Sequence, residues 1–323
     1  MSQDFIADDR HEFGLIRWLQ SQVPADSRVP HGIGDDAAFL AASRSGWLVT
    51  TDMLMEGVDF LLPETVYPDG SIPRATWELA GRKALAVSLS DIAAMGGEAV
   101  AAFLSIALPK STSQSAAQQL LSGVQQLAAE YDVCLAGGDT NSWNGPLVLN
   151  TTVLGHPIAA QPVLRSGAQS GDAILLTGPC GGSLAGRHLT FPPRLHEARW
   201  LIARAEIHAM LDLSDGLAQD LGQLCRASQV GARIESDCIP ITAGLVPRNG
   251  LTPLEQALYD GEDFELLLAV SEADAQRLLT QPDRPPGLTR IGQVTAAREM
   301  LLVNPDGTAQ PLSTRGWVHT FGG

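Results

Sequence analysis

The sequence predicts a mixed α/β and α+β protein of two domains, and three observations carry that expectation. At 323 residues the chain is too long for one ordinary core and long enough for two. Short apolar runs alternate with helical patterns along it, and hydrophobic residues make up 45% of the whole, enough to build real cores. Between residues 156 and 178, HPIAAQPVLRSGAQSGDAILLTG clusters Pro, Gly and Ser between apolar runs. That seam divides the chain into residues 1–157 and 158–323.

The elements follow in order. HGIGDDAAFL (31–40) sets Asp35 and Asp36 behind a glycine-rich turn. Through Gly32, Gly34 and Ala37 it nominally matches a GxGxxA dinucleotide fingerprint, but SRVPH precedes it where an apolar strand should, and two carboxylates would repel pyrophosphate. A glycine turn with an Asp capping the next element explains the stretch as well. WLVTT (47–51) reads as a strand with Thr50, Thr51 and Asp52 at its end, where α/β sheets meet ligands; a plain turn explains Asp52 equally. Residues 76–95 read as a helix in which Ala80, Ala84, Val87 and Asp91 step by 4, 3 and 4 and share one face. Asp91 therefore points inward, where a carboxylate needs hydrogen bonds, a metal, or an ion pair with Lys83 or an Arg.

Residues 114–130 read as a second helix and LVLNTTVLG (147–155) as another strand. CLAGGDTN (134–141) reads as a close-approach turn, with Gly137 and Gly138 ahead of Asp139. In MLDLSDGLAQDLGQL (210–224), Asp212, Ser214 and Asp215 precede a helix whose Leu217, Leu221 and Leu224 share a face. Ser214 and Asp215 stand where a helix is capped; Asp212 does not. The stretch 281–287 is a loop, and RGWVHTFGG reads as a tail packed by Trp317.

With 36 acidic and 21 basic residues the net charge is −15, which disfavours nucleic acid and anionic membranes as partners. Lys83 and Lys110 are the only lysines, so a lysine phosphate clamp has few candidates. The four cysteines show no CxxC spacing, the N-terminus is acidic where a secretory signal is basic, and no run of about 18 uncharged apolar residues occurs. A cytoplasmic protein is expected. P-loop, kinase-loop, HExxH and EF-hand patterns are absent. Yet Asp36, Asp52, Asp91, Asp139, Asp212 and Asp215 collect at turns, strand ends and helix starts, a set suited to Mg2+, which takes hard oxygen ligands alongside substrate phosphates.

Taken in order, GIGDDAA, TTDMLMEGVDF, KALAVSLSDIAAMG, GGDT, RSGAQSGD, LDLSDGLAQDLG and GEDFEL closely resemble the motifs of the thiamine-monophosphate kinase family, and HEFGLI is similar to that family's opening helix. The resemblance spans most of the chain. It implies an aminoimidazole-ribonucleotide-synthetase-like fold: an N-terminal mixed α/β domain that dimerises through its sheet, a C-terminal α+β domain, and a site in the cleft between them. It implies ATP-dependent conversion of thiamine monophosphate to thiamine diphosphate in a homodimer.

By position it also implies Asp36, Thr50, Thr51, Asp52, Asp91, Asp139, Asp212 and Asp215 as Mg2+ ligands. Gly138, Asp139, Arg165 and Ser214 match ATP-site positions, and Glu262 and Trp317 match positions that contact thiamine. Asp59 stands at a substrate-contacting position where relatives often have His, and the segment 63–81 is longer than usual. Glu262 reads equally as a structural acceptor at a strand entry, and Trp317 as a C-terminal anchor. No residue is needed as a general base, because a phosphate acceptor is already ionised near neutral pH. A sister synthetase of the aminoimidazole-ribonucleotide type and a non-catalytic nucleotide sensor are the alternatives. A sensor would be expected to have lost acidic ligands, and none of the six is lost.

Overall fold

The computed structural model describes residues 30, 35–36, 38–40, 46–63, 73–248 and 250–318. The N-terminal HEFGLI, the glycine turn at 31–34, residues 64–72 of the long segment and the last five residues lie outside the described residues.

The first sheet holds β1 (Ala38–Leu40), β2 (Trp47–Met55), β3 (Gly97–Pro109), β4 (Cys134–Trp143) and β5 (Val148–Pro157), in the order β1-β2-β5-β3-β4. Its pairs are antiparallel except β3 with β4, which run parallel and are joined by a crossover helix. That helix is α2 (Gln114–Glu130); α1 (Trp77–Ala94) lies beside it. Thr76 and Ser113 cap them, each hydroxyl accepting the backbone N–H three residues on. The helices cover one face of the sheet. The opposite face is open, exposing Met53 and Phe103, and β4 at the edge is exposed along its whole length.

The second sheet holds β6 (Ala173–Leu176), β7 (Ile207–Asp212), β8 (Gly231–Glu235), β9 (Leu266–Val270), β10 (Thr289–Thr295), β11 (Met300–Val303) and β12 (Ala309–Pro311), in the order β12-β11-β8-β10-β6-β9-β7. β6 and β9 are buried at every position, as their unbroken apolar runs AILL and LLLAV require of strands covered on both faces. Leu176, Leu211 and Leu267 pack against α4 (Leu217–Ser228) and α5 (Pro253–Tyr259). Leu175, Met210 and Leu268 face α3 (Leu195–Ile202), α6 (Glu272–Thr280) and Ala93 and Ala94 of α1. No helix among the described residues is long and apolar enough to cross a membrane.

α1 thus lies between the two sheets. Ala80, Ala84 and Val87 are inside, as the spacing predicts, but so are Leu85, Leu89 and Ile92: 13 of its 18 residues are buried, and the single apolar face becomes a buried cylinder. Three other expectations change. β2 runs on to Met55, so Asp52 sits within a strand. CLAGGDTN forms most of strand β4; Ala136 bulges where the register with β3 shifts between Leu135 and Gly137. Gly138 is demanded there, because a Cβ would stand 1.8 Å from the Leu104 carbonyl oxygen. Trp317 is 53% exposed, so it does not anchor the tail in a groove.

α1 and α2 touch through glycines. A Cβ on Gly81 would meet the Leu120 carbonyl oxygen at 2.0 Å, and one on Gly123 the Glu78 carbonyl oxygen at 1.9 Å. Gly123→Ala should therefore destabilise the fold by roughly 1–3 kcal/mol, because overpacking outweighs the better helix propensity of Ala. Chemical denaturation measures this, and an unchanged midpoint would show that the helices separate freely.

Candidate active site

The polar residues of α1 build the site. Lys83, Val87, Ser90 and Asp91 follow one another at spacings of four, three and one, so they lie along one side of the helix. Inside a protein each polar group needs a partner, and the polar side chains of this helix find theirs on other elements. Asp91 accepts a hydrogen bond from Thr50 of β2. Ser90 Oγ donates to Asp212 Oδ2 at the end of β7 (2.5 Å), and Ser88 Oγ to Asp52 Oδ2 of β2 (2.6 Å).

Asp36, Asp91 and Asp212 converge, each offering a carboxylate oxygen within 4.8 Å of the others. Asp52 adjoins them, hydrogen-bonded to Ser88 and Asp91. Mutual repulsion and burial oppose ionisation. Burial and the neighbouring Asp36 push Asp212 up to about 7; burial, with Asp35 adding to it, lifts Asp36 to about 6 against the pull of Arg165. Burial first, then Asp52, Asp212 and Asp36, raise Asp91 well above the usual carboxylate range.

Arg165 is the cation nearest this cluster. Its guanidinium lies 2.6 Å from Asp36 Oδ1, and its backbone N–H donates to Asp35 Oδ1 at 3.3 Å. Burial disfavours its charge, but Asp36, Asp35, Asp212 and Asp220 outweigh that and raise it. The adjacent carboxylates behind the glycine turn therefore share one Arg. Asp36 Oδ2 remains a buried acceptor with no hydrogen-bond partner among the described residues. Three converging carboxylates with an orphaned oxygen fit a divalent cation, since ligands of one octahedral Mg2+ stand about 3–4 Å apart.

A cavity of about 740 Å³ adjoins the cluster. Asp52, Ser214 and Asp215 line it, as do Asp59, Glu262 and Trp317. Ser214 and Asp215 do not cap α4: Asp220 inside the helix accepts the N–H groups of Asp215 (3.0 Å) and Gly216 (3.1 Å), leaving Ser214 exposed. Glu262 has φ of 54°, a left-handed conformation rare for a side chain of its size. Its N–H donates to the Ser214 carbonyl (2.7 Å), and its own carbonyl accepts from Ser183. Glu262 Oε1 pairs with Lys83, while Oε2 is buried with no partner. Asp59 Oδ2 accepts the Met55 N–H at 2.6 Å, closing the turn after β2.

Not every expected ligand joins the cluster. Thr50 and Thr51 are neighbours in a strand and face opposite ways, Thr50 toward α1 and Thr51 toward the open face, where it meets Asn150 and Thr152. Asp139 pairs with Ser105, whose side chain is also exposed, so it too lies on the open face. β4 is three strands from β2, about 14 Å at the usual spacing, and no single ion spans that distance. Ser88 and Ser90 were legible only as the polar breaks in an apolar helix, and Lys83 as a candidate partner of Asp91 rather than of Glu262. His188 had no sequence signal; it lines the cavity with Nδ1 2.9 Å from the Ser183 carbonyl, and burial, with Lys83 adding, pushes it down to about 4.

Comparison with known proteins follows from this geometry. Residues 34–156 match the N-terminal domain of AIR synthase related proteins, and residues 169–303 match their C-terminal domain. The thiamine-monophosphate kinase of Rhodopirellula baltica is 35% identical over 330 residues, covering 99% of this chain and 97% of that protein. That of Bacillus subtilis is 33% identical, covering 95% and 99%. The structure of AaThiL complexed with AMPPCP and TMP superposes with a TM-score of 0.81 at 27% identity, covering 98% of this chain and 100% of that one.

The raised carboxyls predict how a metal acts on stability. Between the ordinary carboxylate range and about pH 7 the metal-free native state holds protons that the unfolded chain does not, so its stability falls as pH rises through about 6 to 7. Mg2+ competes with those protons. The rise in unfolding midpoint on replacing EDTA with Mg2+ should therefore be larger near pH 8 than near pH 5.5; an equal rise at both would speak against binding at these carboxylates.

Proposed function

The chain belongs to the AIR synthase related proteins and, among them, to the thiamine-monophosphate kinases, and from that premise we propose how its own residues serve the reaction. It is a phosphotransferase whose acceptor is itself a phosphate: the terminal phosphoryl group of ATP passes to thiamine monophosphate, giving thiamine diphosphate and ADP. The observation that supports the assignment of roles is one cavity lined by Asp52, Ser214 and Asp215 together with Trp317 and Glu262, beside the converging carboxylates of Asp36, Asp91 and Asp212.

Asp36, Asp91 and Asp212 are the first candidates to hold Mg2+, with Thr50 bonded to Asp91 and with Asp52 and Asp215 in the adjoining cavity wall. ATP of about −4 and a monophosphate of −1.5 to −2 cannot enter beside these carboxylates unaided, so several divalent ions are required. Bound Mg2+ neutralises the phosphates and stabilises the charge of the transferring group. Ser214 at the rim offers a hydroxyl to the nucleotide; Arg165 acts through Asp36, keeping that carboxylate turned toward the cluster. Attack in line by a phosphate oxygen of thiamine monophosphate needs no general base and forms no phosphoenzyme. His188, held neutral, is not called on.

In the cavity wall beside Asp215, Trp317 offers its ring face to the cationic thiazolium. Glu262 Oε2 accepts a hydrogen bond from the aminopyrimidine, and Asp59, tied into its own turn, shapes the wall. Thr51 and Asp139 lie on the open sheet face apart from this cluster and take no part in the Mg2+ site proposed here, and Gly138 serves the close approach of β4 to β3. That face and the bare β4 edge support a homodimer, since a second copy would cover Phe103 and Met53 and pair the unused strand edge. We place the domain boundary between residues 157 and 158, at the end of β5. A cytoplasmic setting accords with ATP as donor.

The decisive assay follows ADP and thiamine diphosphate together. Matching amounts, dependent on thiamine monophosphate, are expected; ADP formed only with formylglycinamidine ribonucleotide would favour the sister synthetase, and ATP binding without turnover the sensor. Asp91→Asn should lower kcat on the order of 100-fold or more while the circular dichroism spectrum stays native; retained activity would remove Asp91 from the metal set. Trp317→Ala should raise KM for thiamine monophosphate about 2- to 30-fold, the range of a cation–π contact of about 0.5–2 kcal/mol, with KM for ATP unchanged.

A further inference from the structure

Lys83 is the least expected residue of the interior: its side chain is 0% exposed, and Nζ reaches across from α1 to the loop entering β9, 2.7 Å from Glu262 Oε1. The same ammonium donates to the Asp59 carbonyl oxygen at 2.6 Å. One buried cation thus ties together a helix, the turn after β2 and the left-handed loop 261–264, the last two of which line the cavity. We propose that Lys83 is a positioning residue for the substrate base: it occupies one oxygen of Glu262, keeps the carboxylate directed, and leaves Oε2 as the acceptor for an N–H donor of an aminated heterocycle. The inference rests on the kinase reading and refines its substrate end.

Three features make this more than an ion pair that stiffens the fold. A lysine has three donors and no acceptor, so the pair fixes Glu262 as acceptor-only and sets which oxygen is free. Glu262 is held at φ 54° by backbone bonds to Ser214 and Ser183, so its side chain leaves the backbone in one direction and Lys83 limits where it ends. Asp59 Oδ2 secures the other side of the turn through the Met55 N–H, so Lys83 closes a wall that is otherwise already tied. Oε2 is buried without a hydrogen-bond partner among the described residues, so an N–H that reaches it as the ligand seats against this wall finds an unused acceptor. The charge of Lys83 is cancelled by Glu262, so a cationic ligand meets a neutral pair rather than an ammonium.

The test compares the wild type with Lys83→Met, Glu262→Gln and the double variant, reading KM and calorimetric Kd for thiamine monophosphate and KM for ATP. Lys83→Met should weaken thiamine monophosphate about 10- to 100-fold with KM for ATP within about twofold, the size expected when the partner orienting a ligand-binding group is lost. The double variant should bind no worse than Glu262→Gln alone, because Lys83 acts through Glu262. A stiffening role would lower the unfolding midpoint without that selective split. Should Lys83→Met leave its carboxylate too poorly compensated to fold, the double variant buries no charge there and is compared with Glu262→Gln directly; a further tenfold loss overturns the proposal. A wild type that turns over thiamine monophosphate while Lys83→Met keeps its affinity overturns the Lys83 assignment alone. A wild type inactive on thiamine monophosphate overturns the kinase reading and this one with it.

Discussion

Everything in this structure depends on burying the polar residues of one helix. α1 is made largely of small residues, so two sheets can close on it, yet it carries Lys83, Ser88, Ser90 and Asp91 into that interior. A buried polar group without a partner costs on the order of 1–3 kcal/mol, and a buried charge more, so each of the four must be answered from outside the helix. The answers come from β2, β7, the turn after β2 and the loop before β9. Satisfying α1 therefore brings both domains together and sets the walls of the cavity.

The acidic cluster is the counterpart of that order. Asp36, Asp52, Asp91 and Asp212 are held close by hydrogen bonds and by Arg165, but their own charges resist the arrangement, which is why burial and mutual repulsion lift their carboxyls above the usual range. The fold withstands that repulsion because the carboxylates sit on a strand, a strand end and a helix that are fixed by packing elsewhere. Strain of this kind is characteristic of a binding site, where a ligand of opposite charge supplies what the empty arrangement lacks. The left-handed Glu262 belongs to the same pattern in the cavity wall.

The sequence by itself determined the two long helices and the alternation of strands and helices, because these depend on local periodicity, caps and breakers; CLAGGDTN, whose glycines suggest a turn, is a strand. The helices at 77–94 and 114–130 and the strand at 148–157 lie within a residue or two of their sequence patterns. It also determined the acidic residues worth suspecting, and the ordered motifs that carry the family. Tertiary structure alone decided which of them meet. Asp36, Asp91 and Asp212 come from a segment before β1, from α1 and from β7, and only long-range packing brings them together. Thr51 and Asp139 carry equally suggestive motifs and end on the other face of the sheet, because side chains alternate along a strand and β4 is an edge. Lys83 chose Glu262 over Asp91 for the same reason: a buried charge pairs with whatever the fold sets within reach, and reach is a property of three dimensions.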